Sequence, residues 1–286
     1  MALHLHTVAA RGGLDWLRSA FAVFARRPLA LTLMFVVFLV GSLLLLAVPL
    51  LGTVVVMMAL PLLSLGFMVA TRSALQGGPV HPGLFIAPLR GEERTRQRLL
   101  QLCVIYGLIT VMIIALADAV DGGRFERLQV LLATPERSGV ETAELEALFA
   151  DPRLSWGMVV RFGLAALLAI PFWHAPALVL WGDQGVGQSL FSSTLAVWRN
   201  RGAMFVYLAG WAGLIAAFGL AIGLLFGLLG TRQLVGVVAM PAMLMFTCVF
   251  YVSLYFTFTA CFGEGRADAA PHTALPGPGE EPPGPG

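Results

Sequence analysis

The chain has 286 residues, of which 58% are hydrophobic and only 12% are charged, and its formal net charge is +2. A soluble domain carries about 25% charged residues, so this composition excludes an ordinary soluble enzyme, and without a basic cluster we expect no nucleic-acid partner. The mean hydropathy of +0.84 indicates a protein that lies in a lipid bilayer.

The N-terminal segment, residues 1–28, is predicted to hold a short amphipathic helix. Its face of Leu14, Leu17, Phe21 and Phe24 recurs at helical spacing, with arginines elsewhere on the helix. Such a helix suits the headgroup layer of a membrane, where each arginine gains roughly 1 kcal/mol from anionic lipid. We favour an anchor that positions the bundle, and recognition of a specific lipid is the alternative.

Charged residues are missing from five long blocks, 28–71, 99–117, 162–182, 202–231 and 233–263. A helix needs about 20 residues to cross a hydrocarbon core of about 30 Å, so the first block holds two spans and each other block holds one. The runs also lack the alternation of barrel strands. We predict an all-α, polytopic helical membrane protein whose domain at 29–263 has six transmembrane helices in three hairpins, with amphipathic interfacial helices. The spans are placed at about 29–48, 54–70, 99–117, 159–180, 205–229 and 234–261.

The loop 118–157 is polar and contains eight acidic residues. If the N-terminus is cytoplasmic, 12 of the 18 arginines lie on the cytoplasmic side and six on the other, as the positive-inside rule requires. Lysine is absent while Ala, Gly and Pro are abundant, which is typical of a GC-rich bacterial genome. We therefore predict a multi-pass protein of the bacterial inner membrane with both termini cytoplasmic and the loop periplasmic. Two helices in this loop either cap the bundle or form a docking surface.

The fourth span is the most irregular, because Pro171 and Pro176 each remove a helical hydrogen bond. His174 lies between them in an otherwise apolar run. A broken helix can line a cavity, with His174 as a proton relay, metal ligand or substrate contact. The alternative is a kinked helix whose histidine bonds across an interface. We favour the second, because no other histidine or acidic residue lies within the predicted spans.

The fifth span carries small residues along one narrow stripe, which includes Gly219, Gly223 and Gly227. Small residues four apart let helix backbones approach closely in a membrane. The stripe therefore predicts a helix-packing seam, either within the chain or between two copies, and we favour packing within the chain.

An internal repeat relates the start of the chain to its last third. The stretch SAFAVFARRPLAL, from Ser19, resembles STLAVWRNRGAMF, from Ser193, and MMALPLL with Pro61 resembles VVAMPAML with Pro241. Pro171 belongs to a middle copy. Repeats of this kind occur in transporters and also arise by duplication of a hairpin. The tail, residues 264–286, is predicted to be disordered and cytoplasmic because of its Pro- and Gly-rich composition.

The stretch PFWHAPALVLWGDQGVGQSLFSSTLAVWRNRG resembles a family of uncharacterised bacterial six-span membrane proteins, which includes the YciC-like proteins. It is also similar to the membrane domain attached to some glycerophosphodiester phosphodiesterases. The shared outline is a proline-containing span, small polar residues and a second amphipathic helix. It rests on Pro176, Ala177, Leu178, Ser189, Ser193, Trp198, Arg199 and Asn200. The resemblance implies an inner-membrane protein, and we expect none of the phosphodiesterase catalytic residues in this chain.

The function predicted from these observations is that of a non-enzymatic membrane component that binds lipid or a partner protein. Its partners are membrane lipids, with a second copy or another membrane protein as a further partner. We expect no cofactor and no metal, since one histidine without a base or further ligands supplies too little chemistry. Cys103, Cys248 and Cys261 are expected to be small core residues. The alternative is a transporter or exporter of a small solute, favoured by the repeat and the broken span.

Overall fold

The computed structural model describes residues 3–49, 51–133, 139–231 and 234–263. Regular structure within these ranges is helical, with 3-10 helices at Pro82–Phe85 and Ala87–Arg90. The α-helices are α1 (Gly12–Arg26), α2 (Pro28–Leu46), α3 (Leu51–Leu75), α4 (Glu93–Asp121), α5 (Arg124–Ala133), α6 (Gly139–Ala150), α7 (Pro152–Phe172), α8 (Ala175–Gly182), α9 (Val186–Arg199), α10 (Arg201–Leu228) and α11 (Val235–Phe262). The predicted tail lies outside the described residues.

The described residues contain six membrane spans, which confirms the all-α membrane fold. They are α2, α3, α4, α7 with α8, α10 and α11, each long and apolar enough to cross a bilayer. Several are longer than predicted, because a helix continues past the hydrocarbon into the interface. The fourth helix, for example, starts at Glu93 and includes a charged first turn.

The two ends of the described chain lie on the same face of the bundle. The backbone N–H of His6 donates to the carbonyl of Cys261 at 2.8 Å, which joins the N-terminal segment to the end of α11. We call this face the terminal face. The opposite face carries α5 and α6 and is called the loop face.

The second helices of the three hairpins meet at the centre of the bundle. Helices α3 and α11 pack on each other, and α8 packs on α3. The rings of His174, which precedes α8, and Trp181, near the end of α8, contact phenylalanines of α11. The first helices α2 and α10 lie at the outside, with only 11% and 6% of their most apolar windows buried.

Each copy of the internal repeat is a unit that consists of a short segment on the terminal face and the helical hairpin that follows it. Each of these short segments packs against the hairpin of another unit. Helix α9 packs on α7 and α8, the 3-10 helix Pro82–Phe85 packs on α3, and α1 packs on α10 and α11, while the 3-10 helix Ala87–Arg90 packs on α4. The three units therefore interlock in a closed ring, in which the first unit is held by the third. The short segment of the second and third units thus contacts the unit before it in the chain, and that of the first unit contacts the third.

Helix α1 is more deeply packed than a surface anchor. Trp16 is 4% exposed and Ala20 is fully buried, and the backbone of Gly13 lies so close to Ala203 and Tyr207 that a Cβ atom would overlap them. The small residues Gly13 and Ala20 allow this close approach. The apolar side of α1 therefore faces protein, and its opposite side, with Arg18 and Arg26, is exposed.

The packing of α10 corrects the predicted glycine seam. A Cβ atom added at Gly219, Gly223 or Gly227 would meet nothing within 4 Å. The outer half of α10 instead contacts α11 through larger residues such as Phe218, whose ring lies 5.3 Å from that of Phe246. The prediction that these glycines pack within the chain is therefore wrong for the described residues. A seam between two copies stays a prediction.

Candidate functional site

The break in the fourth span falls between α7 and α8, where Pro171 and Pro176 were predicted to place it. The backbone N–H of His174 donates to Oγ of Ser193 at 3.0 Å, and that hydroxyl donates to the carbonyl of Ile170 at 3.0 Å. A break inside a membrane must have its backbone groups satisfied by protein or water. Here a single serine of α9 satisfies both sides of the break.

The side chain of His174 is fully buried at this break. Its ring lies 5.5 Å from that of Phe262 in an edge-to-face arrangement and 6.0 Å from that of Phe258. Neither ring nitrogen has a hydrogen-bond partner among the described residues. A group of three or more His, Cys, Asp or Glu side chains that could hold a metal ion is not found in the described ranges. The surroundings of His174 are those of a packed aromatic interface.

Beside the break lies a cavity of about 160 Å³, which we call the central cavity. It is bounded by α3, α4, α11 and the last turn of α7. Aromatic rings form much of its wall, and hydroxyl groups supply its polarity. Its lining includes Ser64, Tyr106, Ala169, Trp173, Phe250 and Tyr251. Neither His174, Pro171 nor Pro176 lines it.

The polar groups of the central cavity are held by local contacts. Oγ of Ser64 donates to the carbonyl oxygen of Pro61, the proline inside α3, at 2.8 Å. The indole N–H of Trp173 donates to Oγ1 of Thr257 at 3.2 Å. The ring of Tyr251 stacks on Phe67 at 5.3 Å, and its hydroxyl has no partner among the residues that the structure describes.

The chemistry of the central cavity is that of binding without charge. Its wall contains no Asp, Glu, Arg or His side chain. An apolar cavity of about 150 Å³ is large enough for one aromatic ring. The cavity therefore suits a neutral apolar group, and the free hydroxyl of Tyr251 suits an oxygen acceptor on that group.

A second polar cluster lies on the loop face, where the sequence analysis did not place a site. Arg161 of α7 contacts Oδ1 of Asp118 at 2.6 Å and Oδ2 of Asp121 at 3.3 Å. Its guanidinium also covers the ring of Phe125 at 4.3 Å. Asp121 is fully buried and accepts the backbone N–H of Gly123 at 2.8 Å. The only sequence indication was Arg161 itself, one residue before a charge-free block.

Two further ion pairs tie the short helices of the loop face to this cluster. The backbone N–H of Arg153 and the guanidinium of Arg124 lower the pKa of Asp151 below its usual value. A hydrogen bond from Arg127 similarly lowers the pKa of Glu144. Both carboxylates are partly exposed, so each pair adds little stability by itself. Their role is to hold α5 and α6 against the start of α7.

The packing of His174 predicts that water does not reach it. In a chain whose Cys103, Cys248 and Cys261 are replaced by serine or alanine, His174→Cys should not react with a membrane-impermeant thiol reagent from either side. Thr7→Cys, which is exposed on the terminal face, is the positive control and also reports the compartment of that face. Strong labelling at position 174 would contradict the packed interface and favour the transporter interpretation.

Comparison with known proteins shows one similarity that spans almost the whole chain. A probable inner membrane protein of Burkholderia thailandensis is 32% identical over 281 residues, which cover 95% of this chain and 99% of that protein. No protein-family model matches the chain, and no solved structure matches it.

Proposed function

Because this chain belongs to the same family as the probable inner membrane protein of Burkholderia thailandensis, we propose that it works as a binding protein within the inner membrane. The protein binds a neutral membrane lipid, or another apolar molecule taken up from the bilayer, in the central cavity. It catalyses no reaction on that molecule. The observation that carries this proposal is the uncharged, aromatic wall of the central cavity among the six spans.

The placement of the cavity supports this function. It lies between spans, so a lipid chain can enter without crossing a polar surface. Apolar sites with a few polar groups are the usual form of small-molecule pockets. Tyr251 and Tyr106 supply hydroxyls that can reach an ester or carbonyl oxygen, while a charged substrate would find no counter-ion in the wall.

The second candidate function is transport of a small amphiphilic solute. It is supported by the position of the central cavity where the proline-containing spans of the three units meet, since transporters bind substrate at the interface between repeats. Transport requires access from both faces. On the terminal side, the ring of Trp173 is covered by Tyr207 and Phe250 at 6.1 Å each, so this function needs those rings to move.

We propose that the terminal face is cytoplasmic. The support is the larger number of arginines flanking the spans on that side, and the labelling of Thr7→Cys tests it. The resemblance to the YciC-like proteins and to the phosphodiesterase membrane domain stays a prediction and adds no activity.

Filling the central cavity should abolish binding. Ala169→Trp places a large ring in the cavity, whereas Ala166→Trp on the same helix points to an exposed position. With a diacylglycerol that carries a photoactivatable group on an acyl chain, we expect Ala169→Trp to reduce crosslinking to the peptide around Tyr251 by about tenfold or more, the effect of losing roughly 1.4 kcal/mol. Ala166→Trp should crosslink like the unmodified protein.

The melting temperatures of both variants separate loss of binding from loss of folding. Equal crosslinking of Ala169→Trp and Ala166→Trp, with both folded, would contradict lipid binding in this cavity.

A further inference from the structure

A second and larger cavity lies on the terminal face, away from the central cavity. We call it the terminal groove. Its volume is about 800 Å³, and it is bounded by the N-terminal segment, the first turns of α1 and the last turns of α11. Its lining includes His6, Arg11, Asp15, Trp16, Phe256 and Thr259. The terminal groove lies at the level of the bilayer surface, because the last span ends there.

The edge of the terminal groove is fixed by hydrogen bonds. The carboxamide of Asn200 accepts the backbone N–H of Val8 at 2.7 Å and donates to the carbonyl of His6 at 3.1 Å. The ring of His6 lies 2.9 Å from the carbonyl oxygen of Gly263. The N-terminal segment is therefore held in place before any ligand binds, which reduces the entropy cost of binding.

One cation and one anion line the groove at the start of α1: Arg11 immediately precedes the helix and Asp15 lies in its first turn. Arg11 and Asp15 are four residues apart, a spacing that places their Cβ atoms about 5–6 Å from each other. Arg11 has no acidic partner among the described residues. Asp15 has only a long contact of 3.8 Å with Arg18, and both of those side chains are mostly exposed. Both charges that line the groove are thus accessible to a ligand.

Besides these charges, the wall of the groove includes apolar residues. Trp16 and Phe256 contribute rings, and Thr259 contributes a hydroxyl near the end of α11. A ligand that fits this wall has a negative and a positive group side by side, together with an apolar part. A zwitterionic phospholipid has these groups, with phosphate beside ammonium and acyl chains as its apolar part.

We propose that the terminal groove binds the headgroup of a zwitterionic aminophospholipid, with the phosphate at Arg11 and the ammonium group at Asp15. The upper part of one acyl chain lies against Trp16 and Phe256. This site is separate from the central cavity and does not depend on the function proposed for it. An anionic lipid without an ammonium group is disfavoured, because Asp15 lies beside the phosphate position.

The test compares the affinities of the full-length protein for two lipids. The purified protein in detergent is titrated with phosphatidylethanolamine or phosphatidylglycerol, and bound lipid is counted by native mass spectrometry. We expect tighter binding of phosphatidylethanolamine. Arg11→Gln should weaken binding of both lipids by about fivefold, the effect of losing roughly 1 kcal/mol. Arg26→Gln, on the exposed side of α1 and outside the groove, should change neither.

The variant Asp15→Asn distinguishes a zwitterionic headgroup from any phosphate. It should weaken binding of phosphatidylethanolamine by about threefold, the effect of one exposed ion pair, and leave phosphatidylglycerol unchanged or tighter. Equal affinity for the two lipids, tighter binding of phosphatidylglycerol to the unmodified protein, or equal effects of Arg11→Gln and Arg26→Gln would each overturn the proposal.

Discussion

Replacement of Arg161 by methionine is expected to lower the free energy of unfolding by about 3–5 kcal/mol, the range for breaking one partner of a buried ion pair. Asp121 is fully buried, and the guanidinium of Arg161, which is only 13% exposed, is its cationic partner. Methionine keeps the length of the side chain and removes its charge. The carboxylate of Asp121 then retains the N–H of Gly123 but loses its counter-ion beside the bilayer.

Two further variants identify the charge as the cause. Asp118 contacts the same guanidinium but is 49% exposed, so Asp118→Asn should cost no more than about 1 kcal/mol. The double variant Arg161→Met with Asp121→Asn removes both buried charges and should recover much of the lost stability. Unfolding in mixed micelles with increasing SDS measures all three. A loss for Arg161→Met no larger than that for Asp118→Asn would show that the pair is not structural.

Replacement of Gly13 by alanine is expected to separate α1 from α10. A Cβ atom at this position would overlap the carbonyl oxygen of Ala203 and the backbone nitrogen of Tyr207. Backbone atoms cannot turn aside as a side chain can, so α1 must shift as a whole. Overpacking of this kind costs about 1–3 kcal/mol, which outweighs the gain of up to about 1 kcal/mol in helix propensity on replacing glycine.

Gly213→Ala on α10 is the matched control, because a Cβ atom there meets nothing within 4 Å. It should be neutral or slightly stabilising, so only Gly13→Ala should lower the melting temperature. Limited proteolysis should also cut Gly13→Ala sooner within residues 3–27. The same shift for both variants would mean that α1 does not rest on the backbone of α10.

The six spans could be predicted because the bilayer imposes a length and excludes charge. The charge-free blocks locate α2, α3, α4 and α10, and their ends move only where helices such as α4 continue into the interface. The break in the fourth span could likewise be predicted, since Pro171 and Pro176 act on their own backbone. Local chemistry was enough for each of these features.

The partner of each helix could not be predicted in the same way. In a soluble protein the apolar face of a helix indicates the core, but lipid tails and protein interiors are equally apolar. Helix α10 is apolar on every side, so its sequence did not show that Phe218 faces α11 while Gly219 faces away. The same ambiguity affects α1. We predicted that its face of Leu14, Leu17, Phe21 and Phe24 lies in the headgroup layer, whereas the buried face is centred on Trp16 and Ala20 and Leu14 is 39% exposed.

The amino-acid sequence was enough to predict six membrane spans, their places in the chain and the break in the fourth. The closure of that break by Ser193, the packing of His174 against rings and the central cavity beside it became visible only once the helices were packed together. The physical reason is distance along the chain. The central cavity needs α3, α4, α7 and α11 together, and the pair of Arg161 and Asp121 joins residues 40 positions apart, so neither exists until the helices pack.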